Sequence, residues 1–453
     1  MENQVFRIDS QYFRKQYLLD DLNISKYPIK RLGNFAFITD GQHGYHEVDE
    51  ASPIRHLTAK NASQWFANDT GADRIASWVD ENNKRSSLQK DDLILSTRGT
   101  VGCCAIVDID VLPSNIDQDV ARIKLKHPLI SPSTLLAYLN SSVGQDWMER
   151  NQTGMVQQGL ALWRVKEMPI PIFSTHFQDE INRVISSSKQ NISTSKVSYT
   201  QAETLLLDTL GLADFLPSSE AVNIKSFKSS FAATGRLDAE YYQPKFDELE
   251  AKIAETHTLV PLSSVLTLNQ RGTQPDYAEE GLPVINSKHV REGEVILSDN
   301  RVATVSDKEA PLLIQNGDVL INGTGVGTIG RSAPYLHDQY ALPDNHVTIL
   351  RTEKLNPIFL SVYLNSIAGK YQVDKYFKGS SGQIELYPKD IDCFYVPLVD
   401  EAIQTNIADL VRQSFILKAE SERLLEVAKR AVEIAIEQDE QTALDFIEVN
   451  SIV

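Results

Sequence analysis

Gly325-Val326-Gly327-Thr328-Ile329-Gly330 spells GxGxxG directly behind the apolar run Val319-Leu320-Ile321, the order in which a strand meets a dinucleotide's pyrophosphate. That chemistry needs a helix next, its N-terminal N–H groups on the phosphates, and an acidic residue about 20 positions further on. Arg331-Ser332-Ala333-Pro334 follows instead, and Pro334 breaks any helix almost at once. The related stretch Arg98-Gly99-Thr100-Val101-Gly102-Cys103-Cys104 lacks the spacing altogether. A glycine-rich β-turn is expected here, not a nucleotide site.

Other reactive constellations are missing from the sequence. There is no Walker A sequence, no H-E-x-x-H and no Asn/Asp-Pro-Pro-Tyr loop of the kind that holds a target amine. The nine histidines include no pair at metal-ligand spacing with supporting cysteines. His43 and His46 lie near Glu47 and Asp49 between glycines 41 and 44, which reads as a polar recognition loop. Cys103, Cys104 and Cys393 form neither a disulfide framework nor a zinc site, as a reducing cytoplasmic setting would favour. The expectation is no catalytic residue, no metal and no cofactor in this chain.

The chain of 453 residues is too long for one compact core, and 42% apolar with 23% charged residues is ordinary for a globular protein. Met1-Glu2-Asn3-Gln4 does not lead into an apolar run, and no stretch of about 18 apolar residues occurs, so neither a signal peptide nor a membrane span is expected. A net charge of -17 opposes casual contact with phosphates. The excess is uneven: from Asp400 onward about a dozen acidic residues accompany five basic ones. Locally neutral or basic faces remain available elsewhere, with some positive charge expected from a partner.

The elements that would position these groups come as a tandem repeat. Arg7-Ile8-Asp9-Ser10-Gln11-Tyr12-Phe13 returns as Arg236-Leu237-Asp238-Ala239-Glu240-Tyr241-Tyr242. Tyr138-Leu139-Asn140-Ser141 with Gly144 returns as Tyr363-Leu364-Asn365-Ser366 with Gly369. Asp92-Leu93-Ile94-Leu95 returns as Asp318-Val319-Leu320-Ile321, and Gln118-Asp119-Val120-Ala121 has an echo in Asn345-His346-Val347-Thr348. Pro169-Ile170-Pro171-Ile172 closes the first copy as Val396-Pro397-Leu398 closes the second. Order and an offset of about 225 to 230 residues are kept throughout, which chance does not do.

Within each copy the pattern switches. Residues 28–173 hold short β-type runs (93–95, 104–107, 121–125) among Gly, Pro, Asn and Asp, with one short helix expected at Pro132 to Asp146. Residues 174–210 then show helical spacing in Ile181, Val184, Ile185, Ile192, Ala202, Leu205, Leu206 and Leu210, with Gly211 as a stop. The second copy follows a mixed region, 260–399, with Ile403, Ile407, Leu410, Val411, Leu424, Leu425, Ala428, Ala431, Val432 and Ala435. Each apolar stripe either packs on its own domain or meets its counterpart in an antiparallel coiled coil; the repeat favours the second. About 35 helical residues make a rod of roughly 50 Å, enough to space two heads by one to one and a half DNA turns.

Two variable α/β domains, each followed by a long helix in one chain, resemble the DNA-specificity subunits of type I restriction–modification systems. The resemblance rests on the order and duplication of Thr39-Asp40-Gly41-Gln42-His43, the segment 236–242, the Tyr-Leu-Asn-Ser segments, and Gly379-Ser380-Ser381-Gly382-Gln383-Ile384 followed by Lys389-Asp390-Ile391 and Val396-Pro397. The first copy departs at Gly154-Met155-Val156-Gln157-Gln158-Gly159-Leu160, where Trp163-Arg164-Val165 replaces Lys-Asp-Ile. The resemblance implies an α/β (α+β) fold with two target-recognition domains. Residues 1–173 would be the first, 174–215 its long helix, 216–399 a linker and the second domain, and 400–453 the second helix and tail. It further implies a bipartite, asymmetric double-stranded DNA target, two docked adenine methyltransferase subunits that hold the S-adenosylmethionine, and a motor–nuclease restriction subunit. The Arg-x-Asp-x-x-Tyr segments and the helices would be the docking elements.

Contacts to DNA would come from Lys and Arg on phosphates and from Arg, Asn and Gln at base edges. Candidates in the first domain are Gln42, His43, Lys60, Asn61, Arg98, Thr100, Gln157 and Gln158. In the second they are Arg271, Thr273, Asn286, Lys288, His289, Asn322, Thr324, Ser380, Ser381 and Gln383. Three other readings stand beside this one: the specificity module of another methylation-based phage-defence complex, a nucleotide-binding enzyme, and a helical scaffold.

Overall fold

The computed structural model describes residues 10, 12–62, 65–154, 159–220, 222–305, 312–379, 382 and 384–451. The chain divides into two units, Met1–Ser193 with Leu417–Val453, and Thr194–Ile416.

The first unit opens with α1 (Lys15–Ile24) and the short strand β1 (Ile29–Arg31). Then come β2 (Ala36–Asp40), β3 (Arg55–Leu57), β4 (Asp73–Arg74), α2 (Ser77–Asn82), β5 (Leu93–Ser96), β6 (Cys104–Ile106), β7 (Ser114–Ile116) and β8 (Val120–Leu125). An antiparallel sheet in the order β2-β8-β5-β6 is the centre, and β4-β3-β7 forms a second, smaller sheet. Leu93-Ile94-Leu95 is apolar without alternation because both faces of β5 are covered. Leu93 and Leu95 join the cluster of Leu135, Leu136 and Leu139 on the helical side. Ile94 joins Leu57 and Ile116 on the side of the small sheet.

The helix expected at Pro132 to Asp146 is in fact two, α3 (Pro132–Asn140) and α4 (Ser142–Asn151). Ser141 breaks it: with ψ 161° it leaves the helical region, and its hydroxyl accepts the Gly144 N–H at 3.3 Å as an N-cap. Gly144 is required because a Cβ there would stand 2.2 Å from the Tyr138 carbonyl oxygen. Tyr138 is fully buried and its hydroxyl donates to the Pro169 carbonyl at 2.9 Å. That bond ties α3 to β9 (Pro169–Pro171), which pairs with β1 after the short helix α5 (Leu162–Glu167). Asn140 donates to the Cys104 carbonyl at 3.2 Å, so every residue of the Tyr-Leu-Asn-Ser…Gly block has a job in the scaffold. The long helix α6 (Thr175–Thr209) starts here, and its Gln178 side chain accepts the Ser131 N–H at 2.7 Å.

The second unit rebuilds the same plan. After α7 (Phe231–Thr234), α8 (Pro244–Ala254) and β10 (Leu259–Pro261) come β11 (Leu266–Arg271), β12 (Tyr277–Ala278), β13 (Leu282–Ile285) and β14 (Val302–Ala303). Then follow β15 (Val319–Asn322), β16 (Ser332–Pro334), β17 (Leu342–Pro343), β18 (Val347–Thr352), α9 (Pro357–Asn365), α10 (Ile367–Tyr376), α11 (Pro388–Ile391) and β19 (Tyr395–Pro397). The central sheet is β11-β18-β15-β16 and the small sheet β12-β14-β13-β17. Ser366 caps α10, the Tyr363 hydroxyl donates to the Tyr395 carbonyl at 2.9 Å, and Gln404 accepts the Asn356 N–H at 2.9 Å. The GxGxxG run is the turn between β15 and β16, an antiparallel pair, with no helix after it. Gly325, Gly327 and Gly330 adopt φ of 95°, 78° and 77°, which is what the glycines are for. The motif is thus the glycine-rich β-turn expected from the sequence.

The long helices α6 and α12 (Glu401–Glu437) pack through their apolar stripes. In the first unit Phe177, Ile181, Val184 and Ile185 share a core with Leu424, Ala428, Ala431 and Val432. In the second, Ala202, Leu206 and Leu210 share one with Ile407, Ala408 and Val411. Ser188 and Ser421 are buried with hydroxyls 2.8 Å apart, and Ser195 and Ser414 with hydroxyls 3.0 Å apart. The register rises on α6 as it falls on α12, the antiparallel sense. Gly211 ends the α6 segment at φ 67°. A final helix, α13 (Glu440–Asn450), follows a break at Asp439, whose carboxylate accepts the Thr442 N–H at 2.8 Å. Among the described residues no helix is long and apolar enough to cross a membrane.

Candidate functional site

In each unit a cluster of polar side chains forms where the central strands end. In the first, β2 runs into Gly41, where a Cβ would stand 1.8 Å from the Ile116 carbonyl oxygen, so the strand end is pressed against the loop after β7. Asp40 at that end binds the exposed His43 at 2.8 Å and Arg85 at 2.8 Å. Burial pushes the Asp40 carboxyl up, but these two hydrogen bonds outweigh it and hold the group below its usual value. Arg98, at the end of β5, is exposed and pairs with Asp119 at 3.2 Å. Asp40, Arg98, Gln118, Thr153, Gly159 and Trp163 line one open cleft.

The second unit has a corresponding cluster with different chemistry. The equivalent of Asp40, by its place before Gly272, is Arg271 at the end of β11. Its Nε donates to the Asn345 carbonyl at 2.6 Å, and Nη1 lies 3.5 Å from a carboxylate oxygen of Glu385. The equivalent of Arg98 is Thr324, whose hydroxyl lies 2.8 Å from Nδ1 of His346, itself in the place of Asp119. The loop is set alike in both: Asp117 accepts the Asp119 N–H at 2.9 Å and Asp344 the His346 N–H at 2.8 Å.

The remaining sequence candidates are distributed unevenly. Gln42 is half-buried, its amide donating to the Tyr45 carbonyl, while Lys60, Thr100, Thr273 and Lys288 are exposed. Asn286 is half-buried and its amide oxygen accepts the Lys288 N–H at 3.2 Å. Three candidates are buried. Asn61 is 1% exposed and uses its amide to bind Thr58 and Thr70. His289 is 3% exposed, accepts the Asn286 N–H on Nδ1, and is driven towards neutrality by desolvation. Asn322 is fully buried and donates to the Ser287 carbonyl. All three side chains turn into their own loops, and Nε2 of His289 and Oδ1 of Asn322 have no hydrogen-bond partner among the described residues. Gln157, Gln158, Ser380, Ser381 and Gln383 lie outside the described residues.

The sequence candidates omit Asp40, Arg85, Asp119, Thr153 and Trp163 in the first unit, and Asn345, His346, Glu385 and Tyr387 in the second. Asp119 and His346 were within reach, since they occupy matching places in one repeat block. Glu385 had no such signal: it meets Thr324 only through a bridge between chain segments far apart in sequence. Among the described residues no three His, Cys, Asp or Glu side chains are grouped so as to hold a metal ion.

No protein-family model matches the chain. Over 112 residues it is 33% identical to the type I restriction enzyme EcoBI specificity subunit of Escherichia coli, a match covering 24% of this chain and 23% of that protein. The chain therefore aligns with less than a quarter of the curated relative's length. Among solved structures it is similar to the S subunit of a type I restriction–modification system from M. genitalium, with 13% identity, 93% and 96% of the two chains covered and a TM-score of 0.40. The HsdS subunit from Thermoanaerobacter tengcongensis gives 13% identity, 91% and 97% coverage and a TM-score of 0.29. Scores of that size carry no structural argument, and the architecture above stands on the strand pairing and packing of this chain. The resemblance to type I specificity subunits drawn from the repeat blocks is matched by the curated relative.

Proposed function

We propose that this chain is the non-catalytic DNA-specificity subunit of a type I restriction–modification complex. In this reading residues 1–173 and 216–399 are two target-recognition domains, each reading half of a bipartite, asymmetric duplex site. Residues 174–215 and 400–453 supply the paired helices that space them. The observation that carries the reading is one scaffold built twice with different polar groups at equivalent strand ends. A protein with one ligand has no use for that arrangement, whereas a reader of two unlike half-sites requires it. The sequence match to the E. coli specificity subunit supports the same reading.

Two adenine methyltransferase subunits, bringing S-adenosylmethionine, and a motor–nuclease subunit would be the protein partners, in the cytoplasm. Surface Lys and Arg such as Lys60, Arg98 and Lys288 would meet phosphates, and the strand-end clusters would meet base edges. The test is co-expression with the methyltransferase encoded beside this gene, followed by long-read sequencing of host DNA for modified adenines. A split, asymmetric motif that disappears on deletion of this gene is the expected result. Full methylation without the chain, or no complex with the methyltransferase, would overturn the proposal.

A further inference from the structure

We propose that Arg271 reads a guanine in the half-site of the second head, positioned by Glu385 and Asn345; the inference rests on the DNA-specificity reading above. A side chain that reads a base must arrive with its donors already aimed. Arg271 is held in that way. Its backbone is pinned by Gly272, where a Cβ would stand 2.3 Å from the Asp344 carbonyl oxygen. Its Nε is fixed on the Asn345 carbonyl at 2.6 Å, and Nη1 faces Glu385 at 3.5 Å, with the Tyr387 ring centroid 5.6 Å from Cζ. The Arg271 side chain is only 17% exposed, so its stem is already ordered, and among the described residues Nη2 has no partner.

An arginine already held through Nε and Nη1 loses little further freedom on binding. The unpartnered Nη2 then offers its N–H donors to the O6 and N7 acceptors of guanine in the major groove. Phosphate binding would not need this preparation; Lys288, long and exposed, is the kind of group that suffices for it. Glu385 serves as a positioning residue, its carboxylate held ionised by the Tyr387 hydroxyl and by Arg271. In the first head the same strand end carries Asp40, which offers acceptors and repels guanine's acceptor edge. The guanine requirement at this contact therefore belongs to one half of the motif only.

The experiment is the methylated motif of cells expressing the complete chain with its methyltransferase, carrying wild type, Arg271→Ala or Arg271→Gln. Wild type is expected to show one half-motif with an obligatory G·C pair. Arg271→Ala should relax that pair by roughly ten- to hundred-fold while leaving the other half-motif intact. Arg271→Gln should shift the preference at the same pair towards A·T, because Gln matches adenine's donor–acceptor edge. Thermal unfolding of both variants controls for folding; if the Ala variant unfolds, the Gln variant decides. A half-motif that keeps its guanine in a folded variant overturns the inference, as does equal relaxation of both halves. Absence of any split motif in wild type defeats instead the reading on which it rests.

Discussion

The two heads differ least where they are buried and most where their central strands end. Tyr138 and Tyr363 make the same hydrogen bond across the same distance, and Gln178 and Gln404 cap equivalent helices. At the strand ends Asp40 is replaced by Arg271, the Arg98–Asp119 ion pair by Thr324–His346, and exposed Trp163 stands where the other copy has Lys389. A buried polar group without a partner costs 1–3 kcal/mol, so the scaffold positions tolerate few residue types. A half-exposed strand end has water as an alternative partner and can change sign of charge. The repeat thus separates what holds a head together from what a head would read.

The sharpest way to break that comparison uses the acid that opens each central strand. Asp92 meets Arg122 at 2.7 Å with both side chains buried, whereas Asp318 meets an Arg351 that is 27% exposed. Asp92→Ala strands a buried guanidinium and is expected to cost about 3–5 kcal/mol. Asp318→Ala leaves an arginine that water can reach, and should cost roughly 1.5–3 kcal/mol. Denaturant unfolding checks both; equal losses would mean that arginine burial does not set the cost.

A second contrast concerns pH. Asp20 on α1 is buried, and desolvation together with the nearby Asp146 carboxyl pushes it up to about 7, while the repeat places Leu249 at the equivalent position. The folded state favours the protonated acid, so its contribution is complete below the ordinary carboxylate range and is lost as pH rises to about 7. Stability should therefore fall on the order of 2 kcal/mol between about pH 5 and about pH 8. Asp20→Asn should flatten that dependence in thermal unfolding, and an unchanged slope would remove Asp20 as its source.

Tyr138→Phe and Tyr363→Phe should each cost about 1–2 kcal/mol, the second more, because the Tyr363 hydroxyl also accepts a Gln372 amide N–H at 3.0 Å. Equal losses in chemical denaturation would show that the Gln372 bond adds nothing. The smallest effects are expected on the surface. Arg98→Ala and Lys288→Ala should each lower the salt slope of target binding by about 1. If fluorescence titrations over a salt series show neither change, the DNA face lies elsewhere.

Much of the scaffold was legible because it is local or periodic. The α6 stripe, the β5 run and Gly211 all follow from residue spacing, and the duplication supplies each with a second instance. Ser141 shows the limit: helical periodicity continues through it, and only the close approach of α4 to Tyr138 explains why the helix breaks there. The candidate site was legible by type and not by orientation. Asn61, His289 and Asn322 sit in polar, turn-like sequence as Arg98 and Arg271 do, yet the first three turn inward and are buried.

The sequence by itself determined that there are two copies of one unit, that each copy passes from short strands into a long helix, and that its glycine-rich run leads into no helix. These are properties of spacing, and spacing is written along the chain. Only the tertiary structure decided which polar side chains reach a surface and which partners aim them. Arg271, Asn345 and Glu385 are brought together by strand pairing between segments more than 70 residues apart. No local pattern records such a meeting, because it is fixed by the register of β11 on β18 and by the bridge between Thr324 and Glu385.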